Sequence, residues 1–537
     1  MYKSKIRCIS IFAVLIVAFS FLIYRLYFIM SSNKALQVNY AAQMSSFEKI
    51  SDANYDVVDC NGNNLLSFNK EYYVVVNPYI FSRNNSDTNI RELTALNYIL
   101  KNYNKNYDLS EISIEDSTNK LYWKIDEALY NNLKKFKDVN GIYTYYVNKI
   151  DRSKAADIYN ILTNPKDKNN KKFKANNSIE KLIYDKFKNN AYPEKVFKND
   201  NNGNTVSSTE INSKNLSKVK LTIDKTINDK VQSILSSSDL KQVCAIVMES
   251  ENGAIRAISQ KDLYDANINL GLKGVYYPGS IFKAIVEEAA IENKSIDLDK
   301  PIKDTGKYSE EKVYDYCTPK QAFVVSSNDV FINIGQKTGF YNIYNTAKKQ
   351  GLFDKVLNID GESSGSMDNM DSNNTGNLSL LSYGQSLRIT PLGALSIPNT
   401  VVNKGIYVKP HIVDSYVDGN TGKVEKEKIY SNRVISENTA NIMLELFKQV
   451  ITDKHGTGLL AYTPNPCIGG KTGTAQRGEN KDKTIKNVDS WFAGFFNAKG
   501  INYSAIIFAP EIDKNMSAAT TTAPIFKKIV EALNSNN

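Results

Sequence analysis

From Cys8 to Tyr24 the chain carries no charged side chain, and after a single Arg25 the apolar run continues through Leu26, Tyr27, Phe28, Ile29 and Met30. Few foldings are open to such a stretch. In hydrocarbon its backbone has no water to bond, so it closes its own hydrogen bonds as a helix and spans a membrane. Lys3, Lys5 and Arg7 precede it, and basic residues on the short side are retained in the cytoplasm. Arg25 can snorkel toward the outer interface, where Tyr24, Tyr27 and Phe28 supply an aromatic belt. The run therefore predicts residues 1–7 as a cytoplasmic tail, 8–30 as a single-pass membrane anchor, and everything from residue 31 onward as extracytoplasmic. A cleaved signal peptide is the competing reading, but Ser31-Ser32-Asn33-Lys34 lacks a small-x-small cleavage pattern.

The rest is ordinary for a globular protein, with 42% hydrophobic and 23% charged residues in a 537-residue chain long enough for more than one domain. The net charge of +10 comes from Lys scattered among Asn, Tyr and Ile, which argues against nucleic acid as a partner and fits an anionic cell surface. Cys8, Cys60, Cys244, Cys317 and Cys467 stand far apart, odd in number and without a Cys-x-x-Cys pair, so free thiols are expected rather than disulfides or a zinc site. Only His411 and His455 exist, both in turn-like settings. They are too few for a His-based metal centre and make a Ser-His-Asp triad a poor reading. No metal and no cofactor is expected.

Residues 31–206 alternate short strand-like runs, such as Tyr72-Tyr73-Val74-Val75-Val76, with Lys/Asn-rich stretches. They read as one mixed α/β domain without a catalytic constellation. Asn199-Asp200-Asn201-Asn202-Gly203-Asn204 and the serines at 207, 208, 213 and 217 read as polar linker, so the linker is placed at 207–219 and a second domain at 220–537. In that domain Val243 to Met248 and Ala254 to Ile258 flank Asn252-Gly253, a strong hairpin signal. Further strands are predicted around Gly470 to Ala475, Trp491 to Phe496 and Tyr503 to Phe508, the last two as antiparallel neighbours. A final helix from Pro524 would pack Ile525, Phe526, Ile529, Val530 and Leu533 on the sheet. Helical patterns fill the interval between, so the domain is α+β with segregated strands.

Three short motifs in this domain carry chemistry. Tyr277-Pro278-Gly279 forces a turn before Ser280, and the apolar residues from Phe282 to Ala290 read as a buried helix, so Ser280 sits at a helix start where unpaired N–H groups favour developing negative charge. Lys283 lies one turn on. A serine hydroxyl is a weak nucleophile until a neighbour takes its proton, and a lysine desolvated near another cation can be neutral enough to do so. Taken alone, Ser280 reads as an N-cap and Lys283 as a solvated charge. The same Ser-x-x-Lys spacing recurs by accident at Ser46, Ser67 and Ser117, and Lys337-Thr338-Gly339 reads as a helix C-cap. Context decides between the copies. Ser326-Ser327-Asn328 interrupts two apolar runs, suiting a loop that presents a hydroxyl and an amide to a cleft. Lys471-Thr472-Gly473 follows Gly469-Gly470 and precedes Thr474, giving a strand open to close approach that carries a cation, hydroxyls for a carboxylate and one position without a side chain.

In order and setting these motifs resemble the penicillin-binding proteins, more narrowly the monofunctional class B transpeptidases. The likeness covers most of Leu221 to Phe508, with Leu221-Thr222-Ile223-Asp224, Thr390-Pro391-Leu392, Asn403-Lys404-Gly405, Gly456-Thr457-Gly458 and Trp491-Phe492-Ala493-Gly494-Phe495 as further landmarks. The resemblance implies an antiparallel five-stranded sheet flanked by helices, with an all-helical subdomain, behind a pedestal domain. It implies acyl transfer on peptidoglycan stem peptides ending in D-Ala-D-Ala. Ser280 is then the nucleophile, Lys283 the base, and Ser326 with Lys471 a proton relay. The N–H groups of Ser280 and Thr474 form the oxyanion hole, a feature worth about 3–4 kcal/mol per donor elsewhere. Asn328 holds the donor amide, Thr472 and Thr474 its carboxylate, and Gly473 keeps the strand clear. A β-lactam acylates the same serine.

The N-terminal domain resembles the family's pedestal less closely, in Asp59-Cys60-Asn61-Gly62-Asn63 and Ser178-Ile179-Glu180-Lys181. Asn54-Tyr55 stands where Arg-Gly is common and Cys60 where Arg is, which bears on docking to a glycan-polymerising membrane protein. No glycosyltransferase domain is apparent before the linker, which argues against a bifunctional enzyme. A D,D-carboxypeptidase or other hydrolytic member would share the attack and differ in letting water resolve the acyl-enzyme. Ser326-Ser327-Asn328 argues against the β-lactamases with Ser-x-Val. A non-catalytic wall-assembly scaffold remains the alternative of a different class.

Overall fold

The computed structural model describes residues 2–32, 45–85, 90–112, 119–136, 139–167, 171–200, 205–265, 267–308, 314–367, 375–479 and 485–535. The copies of the Ser-x-x-Lys spacing at Ser117 and the polar run 201–204 lie outside them. The apolar run forms one helix, Tyr2–Ser32, whose segment Ile9–Phe28 has 20 residues, about 30 Å at 1.5 Å per residue and long enough to cross a bilayer.

Two compact units follow from the contacts. The first comprises Met1–Asn54, Phe68–Ile150 and Ala191–Asn215. At its centre the strand Phe68–Val76 pairs antiparallel with Leu121–Ile125 and Ile142–Ile150. The two-residue strand period puts Val74 and Val76 against helices Ile90–Tyr103 and Glu127–Leu133, with Leu96, Leu100, Leu129 and Leu133. Val75 faces the other way onto Ile50, Tyr145, Val147 and Phe197. A second sheet pairs Ser45–Lys49, Glu194–Asn199 and Thr205–Ile211.

The expected linker is not a linker here. Residues 205–211 form the edge strand of that second sheet, in register with Glu194–Asn199, and Ser217–Leu221 is a strand of the other unit, between Tyr55–Val58 and Val413–Val417. Polar composition suggested a loop, whereas β-branched Thr205, Val206, Thr209 and Ile211 follow strand preferences once a partner is present. The division is also not a single cut, because Tyr55–Ser67 and Asp151–Asn190 belong to the second unit with Leu216–Asn537.

The second unit is built on five antiparallel strands: β1 Gln242–Glu249, β2 Ile255–Asp262, β3 Ile468–Glu479, β4 Ile485–Ala498 and β5 Ile501–Asp513, in the order β2-β1-β5-β4-β3. The hairpin expected at Asn252-Gly253 joins β1 to β2. The neighbours expected at Trp491 to Phe496 and Tyr503 to Phe508 pair as β4 and β5, with Phe492 opposite Ile507. All three C-terminal strands run longer than the motifs that announced them. The helices the site uses are α1 Lys283–Glu292, α2 Pro319–Val325, α3 Asn328–Thr338, α4 Glu437–Thr452 and α5 Thr522–Asn534. α1 is buried from Lys283 to Ala290 and packs among α2, α3 and α4. α5 starts two residues before Pro524 and lays Ile525, Phe526, Ile529, Val530 and Leu533 on the sheet.

Candidate active site

The order of strands leaves β3 as a sheet edge, and the site forms where a turn and two helix ends meet that edge. Pro278 and Gly279 turn the chain into a single 3-10 turn, Gly279–Phe282, that runs directly into α1. Gly279 has φ +54°, and a Cβ there would sit 2.7 Å from Thr474 O. From the other side, a Cβ on Gly473 would sit 2.8 Å from Pro278 O and 3.1 Å from Ile281 N. Only glycine at both places lets β3 press against the turn that bears Ser280. The turn is anchored behind by Trp491, fully buried opposite Gly473 on β4, whose Nε1 donates to Tyr277 O at 3.0 Å, and by Gly279 N donating to Gly384 O at 3.1 Å.

The second motif owes its shape to two consecutive helix caps. α2 begins with Thr318 and Gln321 in a capping box and ends on Ser326 with φ 62°, ψ 37°, the left-handed conformation. Ser327 then caps α3, its Oγ accepting from Val330 N at 3.3 Å. One residue of left-handed backbone between helices points the Ser326 carbonyl and hydroxyl toward α1.

Lys283 and Lys471 converge on that hydroxyl. Both side chains are 0% exposed. Lys283 Nζ donates to Ser326 O at 2.6 Å, Ser326 Oγ at 3.1 Å and Asn328 Oδ1 at 2.7 Å. Lys471 Nζ donates to Ser326 Oγ at 3.0 Å and to Thr472 O at 3.2 Å. Phe331 lies under Lys283 and Phe323 under Lys471. Burial, followed by the charge of Lys471, holds the Lys283 amine well below the usual lysine range, and Asp304 and Asp329 oppose this. Burial alone brings Lys471 down to about 7. Two buried amines sharing one acceptor cannot both stay charged without large cost, so near neutral pH at least one is a free base.

Ser280, Lys283, Ser326, Asn328 and Lys471 are thus brought to one place, with Thr472, Gly473 and Thr474 continuing along β3. Asn328 Nδ2 donates to Tyr308 O at 2.6 Å. Thr472 Oγ1 pairs with Thr457 Oγ1 at 2.7 Å, while the Thr474 side chain is exposed. Lys283 Nζ engages Ser326 and Asn328 rather than Ser280. Sequence reasoning assigned no role to Thr457, Gly384, Tyr308 or Asp304. Thr457 carried a signal, the Gly-Thr-Gly pattern; the others are brought in by packing alone.

A serine on a helix-start turn, two buried lysines on a common hydroxyl, an amide and an open strand edge define the class of serine acyl-transfer domains that react with penicillins. The family model for the penicillin binding protein transpeptidase domain matches residues 243–531, and the chain belongs to this family. It is 28% identical over 352 residues to penicillin-binding protein PbpB of Mycolicibacterium smegmatis, covering 59% of this chain and 54% of that protein. It is 26% identical over 345 residues to the peptidoglycan D,D-transpeptidase FtsI homolog of Mesostigma viride, covering 56% and 57%. The chain thus spans about half the length of the curated relatives it matches. In fold it resembles penicillin binding protein 3 of Mycobacterium tuberculosis in complex with aztreonam, with TM-score 0.60, 19% identity, and coverage of 90% of this chain and 96% of that one.

Proposed function

We propose that this chain is a membrane-anchored peptidoglycan D,D-transpeptidase that cross-links stem peptides through an acyl-serine intermediate and is acylated by β-lactams. The observation that carries the reading is the sharing of Ser326 Oγ by Lys283 and Lys471 beside the turn of Ser280. In the first step uncharged Lys283 takes the Ser280 proton as Oγ bonds to the penultimate D-Ala carbonyl carbon, and the oxyanion is met by the N–H groups of Ser280 and Thr474. The relay through Ser326 and Lys471 then delivers a proton to the departing D-Ala amine as its bond to carbon breaks. An amine from a neighbouring stem attacks the ester, loses its proton to the same relay, and Ser280 leaves with its proton restored. Asn328 positions the donor amide, and Thr472 and Thr474, with the Lys471 charge, its carboxylate. A β-lactam follows the first step but keeps its leaving amine attached by the ring.

The apolar helix serves as a single-pass anchor with residues 1–7 in the cytoplasm, the first unit, built from Phe68–Ile150 and Ala191–Asn215 together with the chain before Tyr55, serves as an extracytoplasmic pedestal, and a glycan-polymerising membrane protein is the partner. The reading is tested by intact mass of the full chain in detergent with benzylpenicillin, and by supplying a D-Ala-D-Ala donor with a stem-peptide amine. An adduct absent from Ser280→Ala and an amine-linked product support it. Hydrolysis alone would make it a carboxypeptidase, and no adduct from folded protein would leave the scaffold reading.

A further inference from the structure

Behind the Ser326–Asn328 loop lies a buried carboxylate that the acyl-transfer steps do not use. Asp304 follows the short strand Ile302–Lys303, which pairs with Tyr316–Cys317, and its side chain is nearly inaccessible, the residue being 2% exposed. Its Oδ1 accepts from Gly306 N at 2.9 Å and its Oδ2 from Ser327 Oγ at 2.7 Å. Ser327 Oγ in turn accepts from Val330 N. The single proton of that hydroxyl is therefore committed to Asp304, and the loop is pinned through Ser327 as well as through the lysine contacts of Ser326. Ser326 needs such a restraint, because its left-handed backbone costs a non-glycine residue about 1 kcal/mol, yet it supplies two of the acceptors of Lys283.

Pinning alone does not require a charge, since an asparagine would accept the Ser327 proton equally well. A buried carboxylate without a paired cation is costly, and no ion pair to Asp304 occurs among the described residues. We propose that Asp304 is a positioning residue of this site: it holds the Ser326–Asn328 loop through Ser327, and its negative charge keeps Lys283 basic enough to accept the serine proton. This rests on the acyl-transfer reading above.

The physical reason lies in the balance at Lys283. Burial and Lys471 both weaken it as a base, and a base far weaker than the operating pH takes a proton poorly in the transition state. The groups opposing them are Asp304 and Asp329. Asp329 is less buried and is engaged by Thr305 Oγ1 and by Tyr308 N at 3.0 Å. On the paired strand, burial and then the charge of Asp304 push the Cys317 thiol up to about 11, so it stays neutral throughout the working range.

The test uses the full chain in detergent, comparing wild type, Asp304→Asn and Ser327→Ala in two measurements from pH 5 to 9. One is the acylation rate with a fluorescent penicillin, and the other is the Lys283 titration by 13Cε-lysine NMR, assigned with Lys283→Met. Asp304→Asn keeps the acceptor for Ser327 and removes only the charge. It is expected to move both the Lys283 titration and the acidic limb of acylation down by about 0.5–1 pH unit, less than a directly paired charge would, and to lower the plateau. Ser327→Ala is expected to lower the plateau with little shift of either limb. A Lys283 titration unchanged in Asp304→Asn would overturn the proposal. Absence of a wild-type adduct, with the NMR shift present, would instead overturn the functional reading and leave the electrostatic role of Asp304 standing.

Discussion

Glu287 sits one turn beyond Lys283 on α1, 0% exposed, with neither carboxyl oxygen hydrogen-bonded among the described residues. Burial pushes its carboxyl from 4.5 up to about 8, so the folded chain carries it as the neutral acid at pH 7 while the unfolded chain ionises it. Folding therefore takes up a proton. The sign follows from linkage: between pH 4.5 and about 8 the native state binds more protons than the unfolded one, and stability falls as pH rises. At pH 7 the 2.5 units above 4.5, at about 1.36 kcal/mol each, amount to roughly 3 kcal/mol of lost stability. Glu288, which accepts from Gln350 Nε2 at 2.5 Å and is also pushed up to about 8, adds a second proton over the same window. Glu287→Gln keeps the shape and removes one titration. The variant should match wild type near pH 4.5 and exceed it by roughly 3 kcal/mol at pH 7. Urea unfolding followed by fluorescence reads this cleanly, because the chain has two tryptophans and a Trp123→Phe background leaves buried Trp491 to report on the second unit. A stability gain of the same size at pH 5 and pH 8, or none at either, would overturn the argument.

Gly473→Ala places a methyl 2.8 Å from Pro278 O and 2.9 Å from Ile281 Cγ2; acylation should fall about 100-fold while the thermal melt drops by only about 1–3 kcal/mol equivalent, and normal acylation would show that strand and turn need not touch. Burial brings Lys471 down to about 7, so the acylation rate should decline above that pH as its charge is lost; Lys471→Arg, which keeps the charge but cannot pass a proton along the relay, should remove the alkaline limb and lower the plateau in a stopped-flow pH series. Trp491→Phe removes the bond to Tyr277 O and should cost about 1–3 kcal/mol in chemical denaturation, with slower acylation. Deleting residues 8–30 should release the chain from carbonate-washed membranes, and persistence in the pellet would remove the anchor reading.

Much of this was legible because some residue types allow little else. An uncharged run such as Cys8 to Tyr24 closes its own backbone bonds, Asn252-Gly253 makes a tight turn, and the spacing from Ile525 to Leu533 needs a surface to cover. The motifs at Ser280, Ser326 and Lys471 could be singled out by their flanks, since a Pro-Gly turn or a Gly-Gly strand limits where a side chain can go. The boundary at 207–219 could not be read, because a polar strand such as Thr205–Ile211 is a strand only through its pairing with Glu194–Asn199.

What the amino-acid order determines by itself is local: the apolar N-terminal helix, the turns, the helix caps around Ser326 and the kinds of group available for chemistry. Tertiary structure decides which of those groups meet and how they titrate. Lys283 and Lys471 lie far apart in the chain, and only the placement of β3 beside the Ser280 turn puts both on one hydroxyl. Their lowered basicity and the neutral state of Glu287 both follow from exclusion of water, which is a property of the packed interior and of no single segment.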